Sequence, residues 1–179
     1  MHIIFVVGVW YFPKAYAAMP KRIEEELKKK FPDATFEIEL MWYWPWQREK
    51  MRKWAEDLVE KYEIRKGNIL LIGHSMGGII ATAIAPRLKN ALAVVTMFAP
   101  HTTLWGLFSW MLGASLEGLG HIPVLSFQAR FDGLVLWGSE YPKAIRHCKL
   151  KSDHLLWLLL SNEPAEVIAN ETAKLLARR

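Results

Sequence analysis

Residues 68–78 read Asn-Ile-Leu-Leu-Ile-Gly-His-Ser-Met-Gly-Gly, an apolar run followed directly by a serine between glycines. A buried strand that ends in Gly-x-Ser-x-Gly and opens into a helix holds the serine on a tight, strained turn, with its hydroxyl above the sheet edge. Gly73 and Gly77 omit the side chains that would collide where the two backbones approach each other. The stretch therefore predicts a nucleophilic serine, Ser75. The helix that follows points its first N–H groups, beginning with Met76, at a developing oxyanion.

Apolar runs alternate with amphipathic stretches along the whole chain, which is typical of a parallel sheet covered by helices on both faces. The predicted strands are residues 2–7, 35–40, 68–72, 91–98, 123–127 and 144–150. The predicted helices are residues 17–30, 45–62, 76–88 and 163–177, with another at 141–143 that is short or absent. We therefore predict an α/β fold with a mostly parallel sheet of about six strands and helices on both faces.

The length of 179 residues suits one domain, residues 1–179, with a sizeable core. A single cysteine, Cys148, excludes an intrachain disulfide. The N-terminus enters an apolar strand instead of a signal peptide, and the apolar runs are too short to span a bilayer. These observations predict a cytoplasmic protein without stable membrane insertion.

The formal net charge of +5 does not indicate a nucleic-acid partner, and none is predicted. Lysine and arginine alternate with glutamate in residues 21–30 and again in residues 48–61, which favours two solvated helix faces. The alternative is a weak attraction to anionic surfaces, with transient contact to a lipid surface. The sequence leaves the oligomeric state open.

A serine hydroxyl is a poor nucleophile unless a base removes its proton and a third group orients that base. With this motif the order along the chain is serine, acid, histidine. His154 follows the last predicted strand and precedes the final helix, so its loop can reach back to Ser75. His147 falls inside that strand, His121 precedes a strand, and His101 opens an apolar insertion. His154 is therefore the predicted base.

The predicted acid is Asp132, in the loop that follows the strand at residues 123–127. Asp153 directly precedes the predicted base, and the side chain of an adjacent residue can rarely reach the imidazole ring of His154. Glu140 is the other alternative. A structural role for Asp132, capping a turn with Gly133, also remains open.

The second oxyanion donor is expected in the loop after the first predicted strand. Gly8 lets the backbone turn toward the serine there. Val9 N–H is the first candidate for this donor, and Trp10 N–H is the next.

Two apolar segments follow the carboxyl ends of predicted strands, where ligands bind in such sheets. Residues 101–120 carry one charge and several glycines, and form either a packed helix with loops or a small lid. Trp42, Trp44 and Trp46 crowd the turn after the second strand, as rim packing or as an aromatic wall. The predicted substrate-binding residues are Trp10, Trp44, Trp105 and Leu134.

Residues 73–78 resemble the serine turn of lipases, and residues 94–101 resemble the strand that follows it in those enzymes. The chain is similar over nearly its whole length to the α/β-hydrolase superfamily, and within it to minimal lipases and esterases. Those families usually carry His-Gly at the end of the first strand, where this chain has Val7-Gly8. The resemblance implies the α/β-hydrolase fold and a serine-dependent esterase or lipase.

The expected reaction is hydrolysis of small-molecule carboxylic esters with apolar acyl groups, through an acyl-enzyme on Ser75. It needs no metal and no organic cofactor. Two alternatives remain open, a thioesterase and a catalytically silent binding protein that keeps the hydrolase pocket for a ligand.

Overall fold

The computed structural model of the 179-residue chain describes most of its length. The described residues are 1–8, 13–41, 43, 47–102, 119–130, 140–151 and 162–178, with the backbone alone described at 13–17.

Strands and helices alternate over the first four strands, as the sequence predicts. The strands are β1 His2–Gly8, β2 Thr35–Met41, β3 Ile69–His74, β4 Ala91–Met97, β5 Val124–Ala129 and β6 Arg146–Leu150. The helices are α1 Pro13–Lys30, α2 Arg48–Glu63, α3 Met76–Ile84, extended by a 3-10 turn at Ala85–Arg87, and α4 Glu163–Leu176. Helix α1 begins at Pro13, earlier than the predicted residue 17, because proline is well tolerated in the first turn. Residues 141–143 form a turn, so the helix considered there is absent.

The six described strands form one sheet in the order β2-β1-β3-β4-β5-β6, and every neighbouring pair is parallel. The predicted α/β fold is therefore confirmed. The strand order reverses between β1 and β3, because the chain first moves outward to β2 and then returns to the other side of β1. In open parallel sheets, ligands bind in the crevice at the carboxyl ends of the strands where this reversal occurs. Gly8 ends β1 and Ser75 directly follows β3, so both stand at that crevice.

Side chains of the central strands point alternately to the two faces of the sheet, and a hydrophobic core lies on each face. All six residues of β3 are buried. The first core, named the α2–α3 core, packs residues of β1 and β3 against those two helices: Ile4, Val6, Leu71, Met51, Leu58, Ile79 and Ile80. The second, named the α1–α4 core, lies on the opposite face and brings the first and last described helices together: Ile3, Phe5, Leu70, Met19, Ile23, Leu27, Ile168 and Ala169.

Charged residues of α1 pair with one another on its exposed side, as Lys28–Glu24 and Lys29–Glu26. These pairs lie three and four residues apart, which is the spacing of neighbours on a helix surface. None of the helices in the described part of the chain is long and apolar enough to cross a membrane.

Candidate active site

Ser75 occupies a strained turn between β3 and α3. Its backbone angles are φ 54° and ψ −130°, a conformation that residues with a side chain rarely adopt. The turn is held by two hydrogen bonds, from Ser75 N–H to the Met97 carbonyl and from Gly78 N–H to the Ser75 carbonyl, each 2.9 Å. Every residue from Ile69 to Ala85 is buried except Ser75, which is partly exposed. Strain of this kind is often found at functional sites.

The glycines around Ser75 are required by close backbone approach. A Cβ atom on Gly73 would lie closer than 3.0 Å to the backbone of Gly78, and one on Gly77 closer than 3.0 Å to the carbonyl of Val6. A Cβ on Gly78 would meet the side chain of Ala99 equally closely. Helix α3 is therefore pressed directly onto the ends of β1, β3 and β4.

The first N–H groups of α3 lie beside the end of β1. A Cβ on Gly8 would stand 3.0 Å from Met76 N and 3.1 Å from Gly77 N. The opening N–H groups of a helix have no carbonyl partner within the helix and carry its positive dipole end. Met76 N–H therefore lies beside Gly8 at the start of α3, and its role as an oxyanion donor stays a prediction. The second predicted donor, Val9, lies outside the described residues, as does its alternative Trp10.

The remaining predicted catalytic residues, Asp132 and His154, also lie outside the described residues, as does Asp153. The structure describes the strands that lead to them. Arg130, directly after β5, donates its N–H to the Leu150 carbonyl at the end of β6, at 3.0 Å. Both loops therefore leave the carboxyl edge of the sheet, which is the edge that carries Ser75.

Glu140, the alternative acid, lies near the outer strand. Its carboxylate accepts a hydrogen bond from the Gln128 amide and is 3.7 Å from His147 Nδ1. The predicted substrate-binding residues Trp10, Trp44, Trp105 and Leu134 lie outside the described residues.

His101, for which the sequence indicates no role, is completely buried in the structure. Its ring meets the Tyr141 ring edge to face, with 5.1 Å between centroids. Neither ring nitrogen has a hydrogen-bond partner among the described residues. Burial lowers the pKa of His101 to about 3, so the imidazole is neutral near pH 7.

This burial predicts an acid-sensitive stability. The unfolded chain takes up a proton on His101 below its ordinary pKa of about 6.5, whereas the folded chain does so only near pH 3. Between these values the unfolded state binds more protons, so acidification costs the folded state about 1.4 kcal/mol per pH unit. We expect His101→Phe to lose about 3 kcal/mol less stability than the parent between pH 7 and pH 4. Urea unfolding at both pH values measures this, and equal losses in the two proteins would contradict it.

A second strained residue, Phe98, follows β4 and was not anticipated. Its φ is 51°, which is unusual for a bulky side chain. Its N–H donates to the Phe127 carbonyl at 3.0 Å, so the strain is held by the β4–β5 pairing. Its ring meets the His74 ring edge to face, 5.9 Å between centroids. No sequence signal marks a phenylalanine for this conformation.

Among the described residues, no three histidine, cysteine, aspartate or glutamate side chains are grouped so that they could hold a metal ion.

One large group of enzymes shares this arrangement, in which a strand ends at a strained serine and glycines let the next helix pack closely against the sheet. The sequence matches the model of the Alpha/beta hydrolase family over residues 4–170. The chain belongs to the alpha/beta hydrolase family. Membership confirms the resemblance drawn from the sequence and establishes the protein as a hydrolase by family.

Solved structures share this alpha/beta hydrolase's fold at low sequence identity. The esterase domain of a Rhodothermus marinus protein is 17% identical with a TM-score of 0.62, covering 99% of this chain and 86% of that one. A structure of the metagenome-derived lipolytic enzymes LipS and LipT is 14% identical with a TM-score of 0.65, covering 99% and 94%. A pyrethroid hydrolase from Sphingobium faniae JZ-2 is 12% identical with a TM-score of 0.67, covering 100% and 99%. No curated protein matches the chain significantly.

Proposed function

We propose that this alpha/beta hydrolase cleaves carboxylic esters of apolar acyl groups through an acyl-enzyme formed on Ser75. The observation that carries the proposal is the strained, partly exposed Ser75 at the N-terminus of α3. A binding protein has no need to keep a serine at positive φ, which costs about 1–3 kcal/mol. The solved neighbours named as an esterase and as lipolytic enzymes favour esters as the substrate class.

In the proposed reaction, Ser75 Oγ attacks the acyl carbonyl carbon while His154 accepts the hydroxyl proton. The carbonyl oxygen becomes an oxyanion, which accepts hydrogen bonds from the N–H groups of Met76 and Val9. The C–O bond to the alcohol then breaks, and His154 returns the proton to the departing alcohol. Asp132 holds the His154 ring in the required tautomer and stabilises its charged form.

A second half-reaction releases the acid. Water attacks the acyl-enzyme carbonyl and gives a proton to His154, and the bond to Ser75 Oγ breaks as that proton returns to the serine. Both halves rely on a histidine base and backbone donors, so they require no metal or organic cofactor.

A fluorophosphonate probe tests the activated serine directly. We expect stoichiometric covalent labelling of the parent protein and none of Ser75→Ala, with mass spectrometry placing the adduct on Ser75. The probe reacts only with a serine whose proton is removed by a neighbouring base. Folded parent protein that stays unlabelled would overturn the proposal in favour of the binding protein.

The acyl pocket is expected to be apolar. Each additional buried methylene contributes roughly 0.8 kcal/mol, so kcat/KM should rise about fourfold per carbon over the first few acyl carbons and then level off. A series of p-nitrophenyl esters from acetate to palmitate measures this. A profile that is flat or falls from acetate onward would reject the apolar pocket and leave the catalytic residues untouched. Matched thioesters in the same assay separate an esterase from a thioesterase.

A further inference from the structure

A cavity of about 450 Å³, partly open to solvent, lies at the carboxyl ends of β5 and β6. Its volume falls within the range of small-molecule pockets, about 300–1,000 Å³. It is lined by residues of the two strand ends: Gln128, Ala129, Arg130, Lys149, Leu150 and Lys151.

The register of the two strands creates this cavity. Gln128 is aligned with Lys149 and Ala129 with Leu150, so the side chains of both strands finish at the same level. The hydrogen bond from Arg130 N–H to the Leu150 carbonyl holds the strand ends together. The cavity therefore has a rigid frame at the sheet edge where α/β proteins bind ligands.

The lining of the cavity is strongly cationic. Arg130, Lys149 and Lys151 are exposed around it, and none of its lining residues is acidic. Within the described part of the chain, neither lysine forms an ion pair. The Glu140 carboxylate accepts a hydrogen bond from the Gln128 amide and keeps its negative charge beside the cavity. Lys149 and Lys151 still leave a net positive charge around this concave surface, which attracts anions.

Gln128, Ala129 and Leu150 make up the rest of the lining. Side chains alternate between the two faces of a sheet, and Ala129 and Leu150 pack toward the α1–α4 core, whereas Gln128 lies on the same face as its aligned partner Lys149. A ligand on that face therefore meets polar and charged side chains.

We propose that this cavity binds the carboxylate or phosphate group of a small anion, between the strand ends that lead to the acid and base loops. Arg130 stands directly before residues 131–139 and Lys151 before residues 152–161, so an anion bound here links the two strand ends. One source is the carboxylate released by ester cleavage, which rests on the proposed function. The other is free phosphate.

Calorimetric titration of the parent protein with butyrate, and separately with inorganic phosphate, tests the site. We expect at least one probe to bind, and its Kd to rise about tenfold or more in the double variant Lys149→Gln/Lys151→Gln. The Lys149→Arg/Lys151→Arg variant keeps both charges and should bind nearly as the parent does. Tighter binding of butyrate assigns the site to the organic carboxylate, and tighter binding of phosphate assigns it to the inorganic anion.

Lys143→Gln is the matched control, because it removes one exposed lysine of the preceding turn that does not line the cavity. The site is disproved if neither probe binds the parent, if the Gln double variant binds unchanged, or if Lys143→Gln weakens binding as much. The titration involves no turnover. If the parent protein binds butyrate but hydrolyses no ester, the proposed function is rejected and the anion site is kept. If it hydrolyses esters but binds neither probe, the anion site is rejected and the proposed function is kept.

Discussion

Ser75→Ala is expected to lower kcat for p-nitrophenyl esters by about 10⁴-fold or more. The hydroxyl is the atom that forms the acyl-enzyme, and no other group replaces it. Alanine meets the same strain as serine at φ 54°, so the fold and its stability should change little. Steady-state kinetics together with urea unfolding of both proteins separates lost chemistry from lost structure. A variant that keeps the parent's rate would show that Ser75 is not the nucleophile.

The same assay identifies which carboxylate is the acid of the catalytic triad. Asp132→Asn should reduce kcat by about 10⁴-fold, because the amide holds the imidazole in the wrong tautomer. Asp153→Asn and Glu140→Gln serve as controls that remove one carboxylate charge each and should leave most of the activity. If kcat falls by about 10⁴-fold in one of these control variants instead, the residue changed in that variant is the catalytic acid.

Gly77→Ala is expected to destabilise the protein by about 3 kcal/mol or more. The new Cβ would stand against the Val6 carbonyl, which belongs to the backbone of a central strand and cannot rotate away. Relief requires α3 to move off the sheet, which would open the α2–α3 core. Urea unfolding measures the loss of stability.

Gly120→Ala is the control for this substitution. Gly120 has φ 64° and open space around its Cα, so alanine there meets backbone strain of about 1–2 kcal/mol and no collision. The expected order of stability is parent, Gly120→Ala, then Gly77→Ala. An equal or smaller loss at Gly77 would mean that α3 adjusts without cost.

The sequence predicted the parts of the protein that depend on local pattern. Continuous apolar runs, such as the one at Ile69–His74, identify buried strands because both faces of the sheet are covered. The strained turn at Ser75 could be predicted because the glycine pattern dictates the connection between β3 and α3, while the catalytic roles of Ser75 and Met76 stay predictions. The roles of Asp132 and His154 rest on chain order, and they stay predictions.

Features that depend on distant parts of the chain could not be predicted. His101 is buried because Tyr141, from the connection before β6, covers its ring. The cationic cavity depends on the register between β5 and β6, which places Lys149 beside Gln128. Neither contact leaves a periodic or compositional signal in the sequence.

The α1–α4 core has a consequence for how the protein is made. Helix α1 follows the first strand, yet one of its packing partners, α4, is the last described element to leave the ribosome. The side chains of Met19 and Ile23 therefore lack this packing partner until α4 has been synthesised. Parallel strands pair residues that lie far apart in the sequence, and such pairing is slow, so these apolar side chains stay exposed for longer. The nascent chain therefore exposes apolar side chains of α1 until α4 has been synthesised, and during that interval it is most prone to aggregate.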